Sequence, residues 1–304
     1  MGCDWLLIDG SSLIFRAYYG VPDSVRAPDG RPVNAVRGFL DILARLVVQR
    51  RPRRLAVADD WDWRPAWRVA LLPSYKAHRT AEPVPPGLIP QLPVIHQVLE
   101  AVGVDVAGWP EHEAEDLIST WTALATGTLE VASGDRDLFA LVEDPRVRVL
   151  YPEKAGMAVV DEAFVTRRYG IPGRLYADFA VLRGDPSDGL PGLRGVGPST
   201  AARLLQVHGG IDGVLRSGGL SEADRDYLER AIQVVRPVRD LPLTLPPGRR
   251  HAYPADPSGV AQLTAEHALD GPIGRLISAL TEMTGAAPPA TRPGEAEREN
   301  TTEP

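Results

Sequence analysis

Three short apolar runs, each leading into an aspartate, constrain this chain more than any other feature. Trp5-Leu6-Leu7-Ile8 ends on Asp9, Leu55-Ala56-Val57-Ala58 ends on Asp59-Asp60, and Leu129-Glu130-Val131-Ala132 leads through Ser133-Gly134 to Asp135. Short, nearly continuous apolar runs read as strands buried on both faces. Between them lie stretches with helical apolar spacing, at 13–19, 36–49, 94–101 and 111–125. Further strands are predicted at 102–107, 147–151 and 157–160, helices at 161–169, 175–183, 221–235 and 259–284, and extended chain at 240–250. Strands alternating with helices imply an α/β fold with a largely parallel sheet. Sites in such sheets form outside the carboxyl ends of the strands, so Asp9, Asp59 and Asp135 are expected at one edge. An aspartate there is costly to bury without a compensating charge. The other reading of Asp9 is a cap on the following helix.

More acids start from that same edge. Glu113 and Asp116 are spaced to share a helix face, whereas Glu115 falls off it. Acids in a first helical turn are also favoured by the macrodipole. Asp135 and Asp137 bracket one residue, and Asp185 and Asp188 stand in a Gly/Pro-rich turn. Each acid alone suits a cap or a turn, but together they repel one another unless cations neutralise them. Oxygen-only donors favour Mg²⁺ or Mn²⁺ over zinc, and the six histidines show no zinc spacing. Clustered acids without a nucleophile motif point to two-metal phosphoryl hydrolysis.

The stretch 183–205, RGDPSDGLPGLRGVGPSTAARLL, sets a second kind of chemistry beside the acids. Gly195-Val196-Gly197 precedes Pro198 at a first helical position. Backbone N–H groups at such a helix start form an anion site suited to phosphate. Residues 61–79 interleave Trp, Tyr, Arg and Lys, which suits base stacking and phosphate pairing. A surface segment with snorkelling arginines is the alternative. The Pro-rich 81–93 reads as a loop.

A net charge of −7 argues against a nucleic-acid partner only at first sight. With nine acids set aside as candidate ligands, 31 acidic residues face 33 basic ones. Residues 45–79 hold nine Arg or Lys against three acids, and local distribution outweighs the total. The single cysteine, Cys3, fits a reducing compartment. The short N-terminal run, interrupted by Asp4 and Asp9, does not read as a signal peptide, and no apolar run approaches a membrane span. A cytoplasmic monomer with no membrane association is expected. The Pro/Glu/Thr-rich 285–304 is expected to be a disordered tail.

The stretches LLIDGSSLIFRAYY, AVADD, SYKAHR, EAEDLI, SGDRDLFALV and RGDPSDGLPGLRGVGPSTAARLL follow one another over residues 5–205. In that order they resemble the 5′-nuclease family, which comprises the 5′→3′ exonuclease domain of bacterial DNA polymerase I and the flap endonucleases. The resemblance implies a PIN-like 5′-nuclease fold: a mostly parallel twisted sheet flanked by helices, with a helix–hairpin–helix subdomain. It divides the chain into a nuclease core at 1–172, with a helical arch around 71–95, and a helix–hairpin–helix and C-terminal helical part at 173–284. It makes Asp9, Asp59, Glu113, Glu115 and Asp116 ligands of one metal cluster, and Asp135, Asp137, Asp185 and Asp188 ligands of a second. Asp60 stays open as a substitute for Asp59, because the segment after them is longer than the family pattern. Lys76 and Arg79 match the catalytic basic pair at the base of the arch. Gly195, Gly197, Ser199 and Thr200 match the hairpin that grips duplex DNA, with K⁺ as a candidate ion there. The family's Glu-Lys is replaced by Pro198-Ser199, and Arg203 is the candidate replacement contact. Arg16 and Tyr75, inside matching stretches, are assigned to DNA binding. Gly189 stands where the family commonly has Asn. The implied activity is a stand-alone 5′→3′ exonuclease or flap endonuclease acting on DNA with a 5′ end, gap or flap. A catalytically weak branched-DNA-binding protein and a PIN-like ribonuclease are the other readings.

Overall fold

The computed structural model describes residues 2–80, 84–154 and 156–285. Six strands form one sheet: β1 (Trp5–Asp9), β2 (Arg54–Ala58), β3 (Asp105–Ala107), β4 (Leu129–Ala132), β5 (Val147–Glu153) and β6 (Gly156–Val160). Their order is β3-β2-β1-β4-β5-β6, all parallel except β6, which runs antiparallel to β5. The chain winds outward from β1 to one side, then returns to build the other side from β4. The strand order therefore reverses between β1 and β4, where α/β sheets open a crevice. Register sets Asp9 beside Ala58 of β2 and Ile8 beside Ala132 of β4. The chain leaving each of these strands therefore emerges at one place.

Period-two alternation explains why the strands read as continuous apolar runs. Trp5 and Leu7 of β1, Ala56 and Ala58 of β2, and Leu129 and Val131 of β4 enter one core. Leu6, Ile8, Leu55, Val57 and Ala132 enter the core on the opposite face. Both faces are covered by helices, as a mostly parallel sheet requires.

Among the described residues there are twelve α-helices. The first five are α1 (Gly10–Gly20), α2 (Asn34–Arg50), α3 (Ala66–Leu71), α4 (Gln91–Val102) and α5 (Ala114–Leu124). Next come α6 (Glu162–Tyr169), α7 (Tyr176–Arg183), α8 (Pro198–His208), α9 (Ile211–Arg216) and α10 (Glu222–Val235). The last two are α11 (Pro257–His267) and α12 (Asp270–Thr284). One face holds α5 and the helices α7 to α10, whose Phe179, Leu205, Val214 and Leu228 share a core with the sheet. The other holds α1, α2, α4 and α12, through Leu13, Phe39, Ile95 and Leu276.

Two sequence expectations change here. The helical pattern at 259–284 is broken in two at Ala268, which has a left-handed backbone (φ 52°). Those two helices do not continue the 173–284 helical part, because they pack on α2 and α4 across the sheet from α7–α10. The arch expected around 71–95 shows a 3₁₀ turn at Ala77–Thr80 and turns before α4, while 81–83 lie outside the described residues. The tail expectation at 285–304 falls outside them too, except for Gly285, which ends α12. Among the described residues, no helix is long and apolar enough to cross a membrane.

Candidate active site

Acids meet at the carboxyl edge of β1, β2 and β4. Asp9 serves two purposes at once: it caps α1, accepting from Ser12 N at 3.0 Å, and it faces the other carboxylates. Its second oxygen accepts from Ser133 Oγ, the residue directly after β4. Burial, then the neighbouring Asp60 carboxylate, pushes Asp9 up to about 7. The acid after β2 that joins this group is therefore Asp60, the alternative left open by the sequence. Asp60 accepts from Ala114 N at 2.8 Å, which ties β2 to the start of α5. Burial and the Glu113 carboxylate push it up to about 6. Asp59 instead accepts from Ser11 Oγ at 2.8 Å and pairs with His96 Nε2 at 2.6 Å on α4. That hydrogen bond, and then the Asp59 charge, raise the pKa of the imidazole against the opposing effect of burial.

The first turn of α5 brings Glu113, Glu115 and Asp116, all buried. Sequence spacing set Glu115 off the shared face, yet all three converge on Arg68 of α3. Arg68 is fully buried, pairing with Glu113, with Glu115 at 3.0 Å and with Asp116 at 2.7 Å. Burial opposes its charge, but these carboxylates hold its pKa well above the ordinary value. Sequence reading missed Arg68, which looks like one base among many in 61–79. Its only local signal was the run of acids elsewhere that needed a cation. Asp116 is engaged on both oxygens: Arg68 and Val238 N (2.8 Å) share one, and Glu113 N donates to the other at 3.2 Å.

Lys76 is buried too, its ammonium paired with Glu113 and lying 4.9 Å from the Tyr75 ring centroid. Burial opposes its charge, but Tyr75, Glu113, Glu115 and Asp188 around it raise its pKa well above the ordinary lysine value. Burial alone would raise Glu113, but Lys76 and Arg68 hold it below the usual carboxylate range. Tyr75 is buried beneath this group, with its hydroxyl donating to Glu113 at 2.7 Å. Its assignment to DNA contact is corrected accordingly: its ring and hydroxyl support the acids and are not presented to a ligand.

The second set comes from the segment after β4 and from the connection between α7 and α8. Burial and the Asp188 charge raise Asp135. Burial, then Asp135 and Asp188, push Asp137 well above the usual range. Asp185 is held by Arg183 at 3.0 Å and Arg136 at 3.7 Å. Asp188 meets Arg79 at 3.4 Å, and its carbonyl accepts from Lys76 N at 3.0 Å. Gly189 explains this second contact. A Cβ there would lie 1.9 Å from the Ser74 carbonyl oxygen, so only glycine lets the two loops approach. An Asn there would not fit.

Beyond Gly189 the chain reaches the hairpin. Gly195 is left-handed (φ 79°), and nothing lies within 4 Å of a Cβ placed at Gly195 or Gly197. Gly197 caps α8 with no side-chain hydrogen bond to its first-turn N–H groups. Ser199 and Arg203 are exposed and Thr200 is half-buried. Arg16 is exposed on α1, reaching the Glu153 carbonyl at 3.5 Å.

Charge decides what the acid group can do. Asp9, Asp60, Asp135 and Asp137 form no ion pair among the described residues, and all four have raised pKa values. Arg68 and Lys76, the cations buried among the acids, are already engaged by the α5 acids. The remaining donors are oxygens in negative excess, which suits hard divalent cations. Among the described residues, no group of three or more Asp, Glu, His or Cys side chains is arranged to hold a metal ion as it stands.

The chain thus sets a carboxylate group at the switch point of an α/β sheet, with the uncapped start of α8 further along it. Two family models cover it: "5'-3' exonuclease, N-terminal resolvase-like domain" over residues 4–170 and "5'-3' exonuclease, C-terminal SAM fold" over 171–246. The chain belongs to the 5′–3′ exonuclease family and is a nuclease enzyme. A 5′-3′ exonuclease of Streptomyces coelicolor is 48% identical over 306 residues, 91% of this chain and 100% of that one. A 5′-3′ exonuclease of Mycobacterium tuberculosis is 44% identical over 313 residues, 92% of this chain and 98% of that one. Bacteriophage T5 D15 flap endonuclease, crystallised as a pseudo-enzyme-product complex with DNA and metal ions, shares the fold. Its TM-score is 0.64 at 13% identity, over 92% of this chain and 99% of that one.

Proposed function

We propose that this nuclease hydrolyses DNA phosphodiesters at free 5′ ends or 5′ flaps, using two divalent cations, Mg²⁺ or Mn²⁺. The observation that carries this reading is the set of four acids, Asp9, Asp60, Asp135 and Asp137, with raised pKa values and no ion pair among the described residues. Asp9, Asp60, Glu113 and Glu115 would hold one ion, and Asp135, Asp137, Asp185 and Asp188 the other. Asp116 remains with Arg68 and Val238 as the anchor of α5. When bound, the cations neutralise phosphate charge and lower the pKa of water.

The chain's own residues do the rest. Lys76 is a charge already desolvated beside Glu113 and Asp188, where it is worth more than in water. Arg79, more exposed, sits at the rim next to Asp188. The N–H groups of the α8 start receive a duplex phosphate, with K⁺ as the accompanying ion at the hairpin. Arg203 supplies the basic contact that Ser199 cannot. The T5 complex with DNA and metal ions supports this reading through the shared fold. We further place the protein in the cytoplasm as a monomer, in keeping with one buried, unpaired cysteine.

The test is cleavage of matched 5′-flap, gapped and blunt duplexes, labelled at each end, in Mg²⁺, Mn²⁺ or EDTA. Products should carry 5′ phosphates and appear only with metal. Equal cleavage in EDTA, or attack from 3′ ends, refutes the reading.

A further inference from the structure

Away from the acids, a cavity of about 420 Å³ opens where α5, the 3₁₀ turn at Asp137–Leu141, α7, α9 and the chain after α10 meet. Four arginines line it, Arg174, Arg216, Arg236 and Arg239, against two aspartates, Asp178 and Asp212. One acid is already spoken for. Asp178 is buried, accepts from Arg236 at 2.8 Å and from Ile211 N at 2.8 Å, and is thereby neutralised. Arg174, Arg216 and Arg239 make no ion pair among the described residues, so the cavity carries a positive excess. Nothing in the acid site uses these residues.

A second observation points to an occupant. Ser119 of α5 lines the same cavity and is fully buried, yet its Oγ has no hydrogen-bond partner. A buried hydroxyl without a partner costs about 1–3 kcal/mol, so it marks a place where a polar group belongs. Leu141 and Leu175 add apolar wall to the same space. Binding pockets for small molecules run from about 300 to 1,000 Å³, with a few polar groups set among apolar ones. Guanidinium groups are the best-matched partners for a phosphate, which they bind through paired N–H donors.

We propose that this cavity is a binding site for a phosphate monoester of mononucleotide size, distinct from the acid site. The arginines take the phosphate, Ser119 Oγ pairs with a polar atom of the ligand, and the apolar wall receives the rest. Isothermal titration of the full chain with a 2′-deoxynucleoside 5′-monophosphate, in EDTA so that the acids repel it, tests this directly. The parent should bind at sub-millimolar concentration, and the double variant Arg216→Ala/Arg239→Ala should bind at least tenfold more weakly at unchanged Tm. Ser119→Ala should weaken binding about threefold to tenfold. No binding by the parent, or equal binding by the double variant, overturns the proposal. Equal affinity for inorganic phosphate overturns the nucleoside part. If the double variant instead loses affinity only for a blunt DNA duplex, the arginines serve the DNA backbone and the small-ligand site falls.

Discussion

Asp9→Asn should stabilise the metal-free protein while abolishing its chemistry. Asp9 is buried, and its pKa rises from 3.8 to about 7 because burial and Asp60 disfavour its charge. For a carboxyl raised in the folded state, the stability it contributes is fully present below 3.8 and is lost as pH rises through about 7. Converted at about 1.4 kcal/mol per tenfold, that loss reaches ~4 kcal/mol by pH 8 and ~2 kcal/mol at pH 5. Asn keeps the cap to Ser12 N through its carbonyl, and its amide can donate to Ser133 Oγ, which already donates to the native carboxylate and accepts from Asp135 N. The variant therefore sheds the charge without losing the geometry. Melting in EDTA should show Tm higher by about 8 °C at pH 8, with a smaller gain at pH 5. Added Mg²⁺ should raise the parent's Tm and the variant's much less, since one ligand charge is gone. A variant melting at or below the parent at pH 8 in EDTA would show that Asp9 is not a buried, uncompensated charge, and the argument for metal filling would fail with it.

Three further outcomes follow from the geometry. Asp60→Asn should lower single-turnover cleavage by at least about 10²-fold, whereas Asp59→Asn, engaged by Ser11, His96 and the Asp60 backbone N–H, should stay within about tenfold; the reverse ranking would return Asp59 to the site. Lys76→Ala should slow single-turnover cleavage by about 10²-fold, or ~2.7 kcal/mol, with DNA affinity little changed, and Lys76→Arg should restore part of it. Near-parent rates in the Ala variant would withdraw the catalytic role. Gly197→Val meets open space and an ordinary backbone (φ −86°), so Tm should hold while flap-DNA affinity falls and its salt dependence flattens. Unchanged binding would reduce the hairpin to a structural turn.

The sequence by itself determined the layers and the crowd of acids. A strand buried on both faces must be apolar at nearly every position, so WLLI and LAVA announced themselves, and a parallel sheet brings the ends of such strands to one edge. The helix start at Gly197-Pro198 was equally local, because capping depends on a few consecutive residues. What only the tertiary structure decided were the directions of side chains just past a strand end and the fate of isolated charges. Asp59 and Asp60 are neighbours, and one step along the chain turns a carboxylate from the acid group to His96. Arg68 and Tyr75 read as surface residues because the acids that make their burial tolerable lie on α5, more than thirty residues away. Gly189 showed its reason only when the Ser74 carbonyl came to rest against it. The helical pattern of α11 and α12 carried no mark of which sheet face would receive it, because amphipathic spacing specifies that a face is buried and not against what. Ser119, likewise, was one polar residue in a helix until the fold set it on the wall of a cavity that arginines from three distant segments also line.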